Sequence, residues 1–396
     1  MTASIFSPEY YSATRKPLTQ ASALPGWCYV SPEWYAREIE TLFLRDWLCV
    51  GRVEQIPQRG DFFSIEIAGR PLIVVRDEEQ KIRVHSAVCR HRGAVITQGS
   101  GKCRAFVCPY HNWTYSLSGK LIGIPGTPPP MAGAEGFSPA DHGLSPIRAE
   151  TWGGFIFVTF DEDAEALVPW LRDLPGFLAG YDLENMQWTH RDEYEVACNW
   201  KVWLENAFEN YHAATIHRKH MPAEPQNWTF EKTNGPWKAM FSKRSIVAYS
   251  GLPPIPGIDE KKAAGLYHIW VVPSVQIILT SSYMKFRQYL PEGPETLRLY
   301  ENWAFPKSTV ARSDFKDIVG DSYYAKYSQI VHEDLEINPV VQKGMRSGSY
   351  RPGRYSTEEY IVHRIANYVL DRCIGPDEES SRAARDGVVA SVRAVA

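Results

Sequence analysis

A chain of 396 residues exceeds what one hydrophobic core usually organises, so two domains are expected. Its 44% hydrophobic and 22% charged residues describe a soluble globular protein, and a formal net charge of −3 gives no basic footprint for nucleic acid or an anionic membrane. Small molecules and other proteins are the expected partners.

The amino terminus, Met1-Thr2-Ala3-Ser4, carries no secretory pattern, and seven cysteines without a regular framework fit a reducing compartment. A cytoplasmic protein is the expectation. Ile269 to Thr280, the most apolar stretch, is broken by Pro273, Ser274 and Gln276 and is too short to cross a bilayer.

In chain order, residues 1–44 form an N-terminal helical segment, with a helix-like run from Pro32 to Trp47. Strand patterns follow at Phe62 to Ile67, Pro71 to Arg76 and Ile82 to Val88, rich in β-branched and aromatic residues. Gly123 to Gly143, with Pro128-Pro129-Pro130 at its centre, reads as an irregular crossing loop. Trp152 to Phe160 resumes as a buried strand and closes a mainly β unit, residues 45–160. Residues 161–396 form the second unit: a helix from about Trp200, strands at Ser245 to Tyr249, Leu266 to Val272, Gln276 to Thr280 and Thr296 to Ala304, then helices. Clustered strands flanked by helices predict an antiparallel sheet in an α+β domain.

Two metal-binding phrases stand out. Cys89-x-His91 and Cys108-x-x-His111 are separated by 16 residues that read as a β-hairpin, Ala94 to Thr97, a Gly99-Ser100-Gly101-Lys102 turn, and Arg104 to Val107. Such a hairpin brings two ligands from each loop together. Two thiolates and two imidazoles suit the two irons of a [2Fe–2S] cluster, and by spacing alone they equally suit a structural zinc. Gly99-Ser100-Gly101-Lys102 is no phosphate loop, because Cys103 stands where a hydroxyl residue is required.

The second phrase is Glu209-x-x-His212-x4-His217, in a stretch from Asn199 whose apolar residues follow a helical period. At about 100° per residue, Glu205, Glu209 and His212 share one face. His217 would point away on an ideal helix, so for both histidines to bind one metal the helix must end or unwind across Ala213-Ala214-Thr215. His220 is the rival, nearer to the face of His212 on a regular helix. A two-His, one-carboxylate iron site needs a third ligand. In Val331 to Asn338, Asp334 and Asn338 share the face of Val331 and Leu335 whereas Glu333 and Glu336 point away, which makes Asp334 the buried candidate.

Over nearly its whole length the chain resembles the large (α) subunit of the Rieske non-heme iron oxygenases. The likeness runs through Cys89-Arg90-His91-Arg92-Gly93, Cys108-Pro109-Tyr110-His111-Asn112-Trp113, Trp152-Gly153-Gly154-Phe155-Ile156-Phe157-Val158, Asn199-Trp200-Lys201, the Glu209/His212/His217 phrase and Glu333-Asp334. It implies a small antiparallel-β Rieske domain, a helix-grip catalytic domain and head-to-tail homotrimers. It further implies a [2Fe–2S] cluster on Cys89, His91, Cys108 and His111, and Fe(II) on His212, His217 and Asp334, with His217 favoured over His220. Glu209 takes the position of the acid that links His111 of one chain to His212 of the next. Many relatives have aspartate there, and glutamate also occurs among those that oxidise quaternary amines.

The implied activity is that of a terminal oxygenase component, using O₂ and electrons that originate in NAD(P)H. The chain carries no GxGxxG signature and no plant-type cysteine set, so flavin and nicotinamide belong to a separate reductase, with or without a ferredoxin. The leading expectation is hydroxylation of a small aromatic compound, with or without a carboxylate. The alternative is oxidative N-demethylation or C–N cleavage of a quaternary ammonium or betaine compound in an aromatic cage. Phe208, Leu266 to Ser282 and Met284 to Tyr289 are the expected pocket walls, and Lys285 and Arg287 among them tilt the expectation toward a carboxylate. A pure electron carrier or a zinc protein would need only the first phrase.

Overall fold

The computed structural model describes residues 4–220, 228–243 and 251–376. Near its start, Ser31 caps helix α1 (Pro32–Glu38) by accepting a hydrogen bond from the Trp34 amide, and Pro32 suits the first turn. The helix widens into a π-turn over Ile39–Phe43 and stops there, short of the expected end at Trp47. Residues 48–52 are instead drawn into β1 (Leu48–Arg52), every residue of which is buried.

The β unit holds a seven-stranded antiparallel sheet and a three-stranded one. Its strands are β1, β2 (Asp61–Ile67), β3 (Arg70–Arg76), β4 (Ile82–Ser86), β5 (Ser100–Lys102), β6 (Phe106–Val107), β7 (Thr114–Tyr115), β8 (Leu121–Gly123), β9 (Pro146–Trp152) and β10 (Phe155–Thr159). The larger sheet runs β1-β10-β9-β4-β3-β2-β5 and the smaller β6-β7-β8. Alternation along β3 divides its side chains between two cores. Leu72 and Val74 join Trp34, Trp200 and Trp203, whereas Ile73 and Val75 join Cys89, Cys108, Trp113 and Tyr115.

Two expectations need correction here. No hairpin joins residues 94–97 to 104–107: Gly101 pairs with Phe62 on the edge of β2, and β6 pairs with β7. The edge of β2 offers Ser100–Lys102 a ladder that a four-residue turn cannot match. Trp152, in turn, ends β9 and faces Phe155 across a two-residue turn. Gly153 (φ 57°) and Gly154 (φ 78°) both adopt the left-handed region that such a turn demands. A Cβ on Gly154 would lie 2.3 Å from Nη2 of Arg52. That buried guanidinium donates to the Gly153 and Leu183 carbonyls and ties the turn to the second unit.

The second sheet is also seven-stranded and antiparallel, in the order β11-β17-β16-β15-β14-β13-β12. Its strands are β11 (Met186–Val196), β12 (Trp228–Phe230), β13 (Trp237–Ser242), β14 (Leu266–Val271), β15 (Val275–Leu279), β16 (Met284–Gly293) and β17 (Thr296–Pro306). The strand expected at Ser245 to Tyr249 lies outside the described residues. One face, including Ile269, Ile277 and Phe286, packs with Phe155 and Phe157 of β10. The opposite face, including Trp270, Tyr289 and Leu299, packs with helices α2 (Trp200–Ala207), α4 (Ala325–Arg346) and α5 (Tyr360–Cys373). Between α2 and α4 comes the short α3 (Ala213–Ile216). Among the described residues no helix is long and apolar enough to cross a membrane.

Candidate active site

Each loop of the first phrase closes on itself. Cys89 N donates to the Ala94 carbonyl (2.9 Å) and Gly93 N to that of Cys89 (3.0 Å); Cys108 N donates to Trp113 O and Asn112 N to Cys108 O, both at 2.9 Å. Gly93 and Asn112 supply the left-handed residue each turn needs, at φ 77° and 56°. The two sulfurs sit inside, on residues 3% and 1% exposed, while the imidazoles lie nearer the surface with their Nδ1 atoms 3.1 Å apart. His91 stacks on Trp113 with ring centroids 4.7 Å apart. The Tyr115 hydroxyl accepts from Arg90 N (3.1 Å), which leaves its proton for Cys89 Sγ at 3.2 Å. Burial alone raises the Cys89 thiol, but hydrogen bonds from Tyr115 and from the His91 amide outweigh it, so the thiol is held below its usual range. Buried, thiolate-stabilising sulfurs on one side and two facing imidazoles on the other fit a cluster with two thiolate and two histidine ligands.

The second phrase is built around a broken helix. Asn199 caps α2 by accepting from Lys201 N (3.0 Å), and a fully buried Lys201–Glu38 ion pair (2.6 Å) anchors its first turn. The helix ends at Ala207, whose carbonyl accepts from Gln276 Nε2 on β15 (3.3 Å). Beyond it the Glu209 carboxylate accepts from the amides of Tyr211 and His212 and contacts His212 Nδ1. A side chain that takes over backbone donors in this way competes with helix formation. The break therefore falls at Phe208 to His212, not across Ala213-Ala214-Thr215, which is itself the α3 turn. Glu205 does not share the site face: half-buried in α2, it accepts from Tyr29 Oη (2.8 Å), and its carboxyl is pushed up to about 7 by desolvation.

His212 and His217 bracket α3 and bring their Nε2 atoms to 3.1 Å. Asp334, 4% exposed on α4, points Oδ1 at both, 3.3 Å from His217 Nε2 and 3.8 Å from His212 Nε2. That oxygen is buried and accepts no hydrogen bond. The three donor atoms lie within 4.8 Å of one another. An unsatisfied carboxylate oxygen facing two imidazole nitrogens fits a two-His, one-carboxylate cation site with positions left open. The helical stripe of α4, Val331, Asp334, Asn338 and Gln342, is buried as its spacing requires.

Glu333 points away from the three donors, and the sequence reading gave it no further part. One of its oxygens meets His217 Nδ1 at 2.9 Å and the other meets His220 Nδ1 at 3.1 Å. His220 thus stands behind Glu333 and outside the donor set. Burial alone would lower His217, but Asp334 and then Glu333 outweigh it and raise its proton affinity. An acid next to a candidate ligand was the one sequence signal for this role.

A polar wall on β14–β17 faces α4. Lys285 Nζ lies 2.8 Å from Glu301 Oε2, and the Arg287 Nε edge pairs with Glu301 Oε1. Gln276 Oε1 accepts from Tyr289 Oη (2.6 Å), and Gln276 Nε2 lies 3.2 Å from His268 Nδ1. Desolvation, reinforced by Arg287, pushes His268 down to about 3; desolvation pushes Lys285 down to about 7 against the attraction of Glu301. Both cations point inward, but they share a buried counter-ion, so their presence alone does not argue for an anionic substrate.

Comparison with known proteins gives two family matches, a Rieske [2Fe-2S] domain at residues 46–140 and the catalytic domain of ring-hydroxylating alpha subunits at residues 183–375. The chain belongs to the Rieske oxygenases. It is 29% identical to choline monooxygenase of Arabidopsis thaliana over 88% of this chain and 82% of that one. Identity is 27% to the glycine betaine monooxygenase oxygenase subunit of Chromohalobacter salexigens, over 88% and 85% of the two chains. Naphthalene 1,2-dioxygenase from Rhodococcus sp. shares the fold at a TM-score of 0.77 and 22% identity, covering 93% of this chain and 99% of that one. The oxygenase is an α+β protein and the terminal component of its system, with a Rieske cluster and a mononuclear non-heme iron as cofactors.

Proposed function

We propose that this oxygenase oxidises a quaternary ammonium compound, removing a methyl group or cleaving a C–N bond, in preference to the aromatic hydroxylation that the sequence first suggested. The observation that carries this is sequence identity sustained through both domains: relatives at 29% and 27% identity over 88% of the chain are named for choline and glycine betaine. The naphthalene dioxygenase likeness, at 22% identity, is one of fold. In demethylation, one oxygen atom of O₂ enters a methyl C–H bond and the other leaves as water with two electrons and two protons. The resulting N-hydroxymethyl group then loses its O–H proton and breaks its C–N bond, giving formaldehyde and the tertiary amine.

Cys89, Cys108, His91 and His111 are assigned to the cluster, and His212, His217 and Asp334 to the iron. Together these groups supply single electrons and an open coordination site for O₂. Glu209 orients His212 through Nδ1 and keeps its carboxylate 15% exposed, open to a second partner. In a head-to-tail homotrimer that partner is His111 of the next subunit. Tyr110 (55% exposed) beside one centre and Tyr211 (72%) beside the other are large exposed rings that such an interface would cover. Electrons enter from a separate reductase, and the assigned compartment is the cytoplasm.

The deciding experiment supplies a surrogate reductase and NADH and screens aromatic acids against betaines and choline-type cations. Formaldehyde or aldehyde with the matching amine is expected. Hydroxylated aromatic product with no ammonium oxidation would overturn the proposal. Oxygen uptake alone does not discriminate, because uncoupled turnover also consumes O₂.

A further inference from the structure

The wall opposite the donor set bears on the charge of the substrate, on the premise of the quaternary-ammonium function proposed above. Gln276, Arg287 and Glu301 are successive cross-strand partners on β15, β16 and β17, and Lys285 pairs with Trp303. Gln276, Lys285, Arg287 and Glu301 are each at most 4% exposed. Such a group is costly to bury unless each member is matched. Here the matching is incomplete in one place.

Lys285 directs its ammonium at Glu301 and over the rings of Tyr327 and Trp303, 4.6 Å from the centroid of the latter. Arg287 gives its Nε edge to the same carboxylate. Its two terminal nitrogens are differently placed. Each makes a long hydrogen bond of 3.4 Å, to Gln276 Oε1 and to Tyr327 Oη, the Tyr289 hydroxyl is a further neighbour of the guanidinium, and each terminal nitrogen carries a second N–H. Tyr327 precedes Asp334 by seven residues on α4, which puts both on one side of the helix, about 10 Å apart along its axis. The terminal edge of Arg287 thus lies within reach of a small molecule bound at the His212, His217 and Asp334 site.

Carboxylates available to a bare cation are scarce on this side among the described residues. Glu301 is shared by two cations, Asp192 pairs with His190 (3.0 Å), Glu333 holds two histidines, and Asp334 belongs to the donor set. A substrate that brings its own negative charge meets no such deficit.

We infer that Arg287 is a specificity-determining residue, whose terminal N–H edge receives the carboxylate of a zwitterionic, betaine-type substrate. Gln276 and Tyr327 set the plane of the guanidinium, and Glu301 holds it from behind. A planar fork of this kind matches a carboxylate in two-point contact, which an alcohol or amide does not reproduce.

The test uses reductase-coupled holoenzyme and three trimethylammonium compounds of one chain length, ending in a carboxylate, a carboxamide or a hydroxyl. For the wild type, kcat/KM by formaldehyde release should favour the carboxylate by about 10- to 100-fold. Calorimetric Kd values on anaerobic holoenzyme should show a similar ratio. Arg287→Met is expected to bring that ratio close to one, and Arg287→Lys to restore part of it. The wild-type comparison stands even where a variant fails to fold. Equal handling of the three compounds by the wild type, or a folded Arg287→Met that keeps the carboxylate preference, would overturn the inference. Formaldehyde from none of them, with aromatic acids hydroxylated instead, would refute the ammonium function itself.

Discussion

Glu333 provides the sharpest test of how the iron site is held. Its carboxylate accepts from His217 Nδ1 at 2.9 Å and reaches His220 at 3.1 Å, which fixes the ring angle and leaves Nε2 of His217 as the proposed ligand atom. Removing a carboxylate partner of a metal-bound histidine weakens metal binding by about 10- to 100-fold, or about 1.4 to 2.8 kcal/mol. Glu333→Ala should show that full loss. Glu333→Gln keeps one neutral hydrogen bond, about half as strong as the charge-assisted one, so its loss should be about 3- to 10-fold. The assay is chelator competition, with mononuclear iron followed by metal analysis and the reduced cluster by EPR. Two results would refute the reasoning: wild-type iron affinity in Glu333→Ala, or parallel loss of the cluster, since Glu333 touches none of the cluster residues.

Glu209→Ala should keep both metals and nearly abolish NADH-coupled product formation; retained turnover would show that electrons travel by another route. His212→Ala should leave the cluster spectrum intact and the mononuclear site empty, and full iron occupancy would refute that ligand. Lys201→Met strands the buried Glu38 carboxylate and should cost about 3 to 5 kcal/mol by denaturant titration; a change under about 1 kcal/mol would contradict the assigned ion pair. His268, pushed down to about 3 by burial and then by Arg287, stays neutral when folded and charges when unfolded below about 6.5. Stability is then lost as pH falls through that window, by about 2 kcal/mol between pH 6.5 and 5, and His268→Gln should flatten the dependence. An unaltered pH slope would count against it.

What the sequence disclosed was whatever is local or periodic. The four residues proposed for the cluster lie in two turns of a few residues, and the burial of Asp334 follows from the stripe it shares with Val331 and Asn338. Features that depend on distant partners stayed hidden. The break after Ala207 needs Gln276, 69 residues on, to take its carbonyl, and Glu209 to intercept the next amides. β16 is legible in the sequence only as a pocket wall and not as a strand, because Lys285 and Arg287 interrupt its apolar pattern until the buried Glu301 of β17 is seen beside them. The turn at Gly99 to Lys102 was misread for the same reason, its true partner being the edge of β2.

The divided strand β3 has an implication for engineering and for evolution. Because Leu72 and Val74 belong to one core and Ile73 and Val75 to another, no cut between the electron-accepting half and the oxidising half leaves both interiors closed. The halves should therefore melt as one cooperative unit and resist exchange between family members as cassettes. A graft has to carry the matching sides of Trp34, Trp200 and Phe286 with it, so tuning of redox partner and tuning of substrate are mechanically coupled in this lineage even where they are chemically separate.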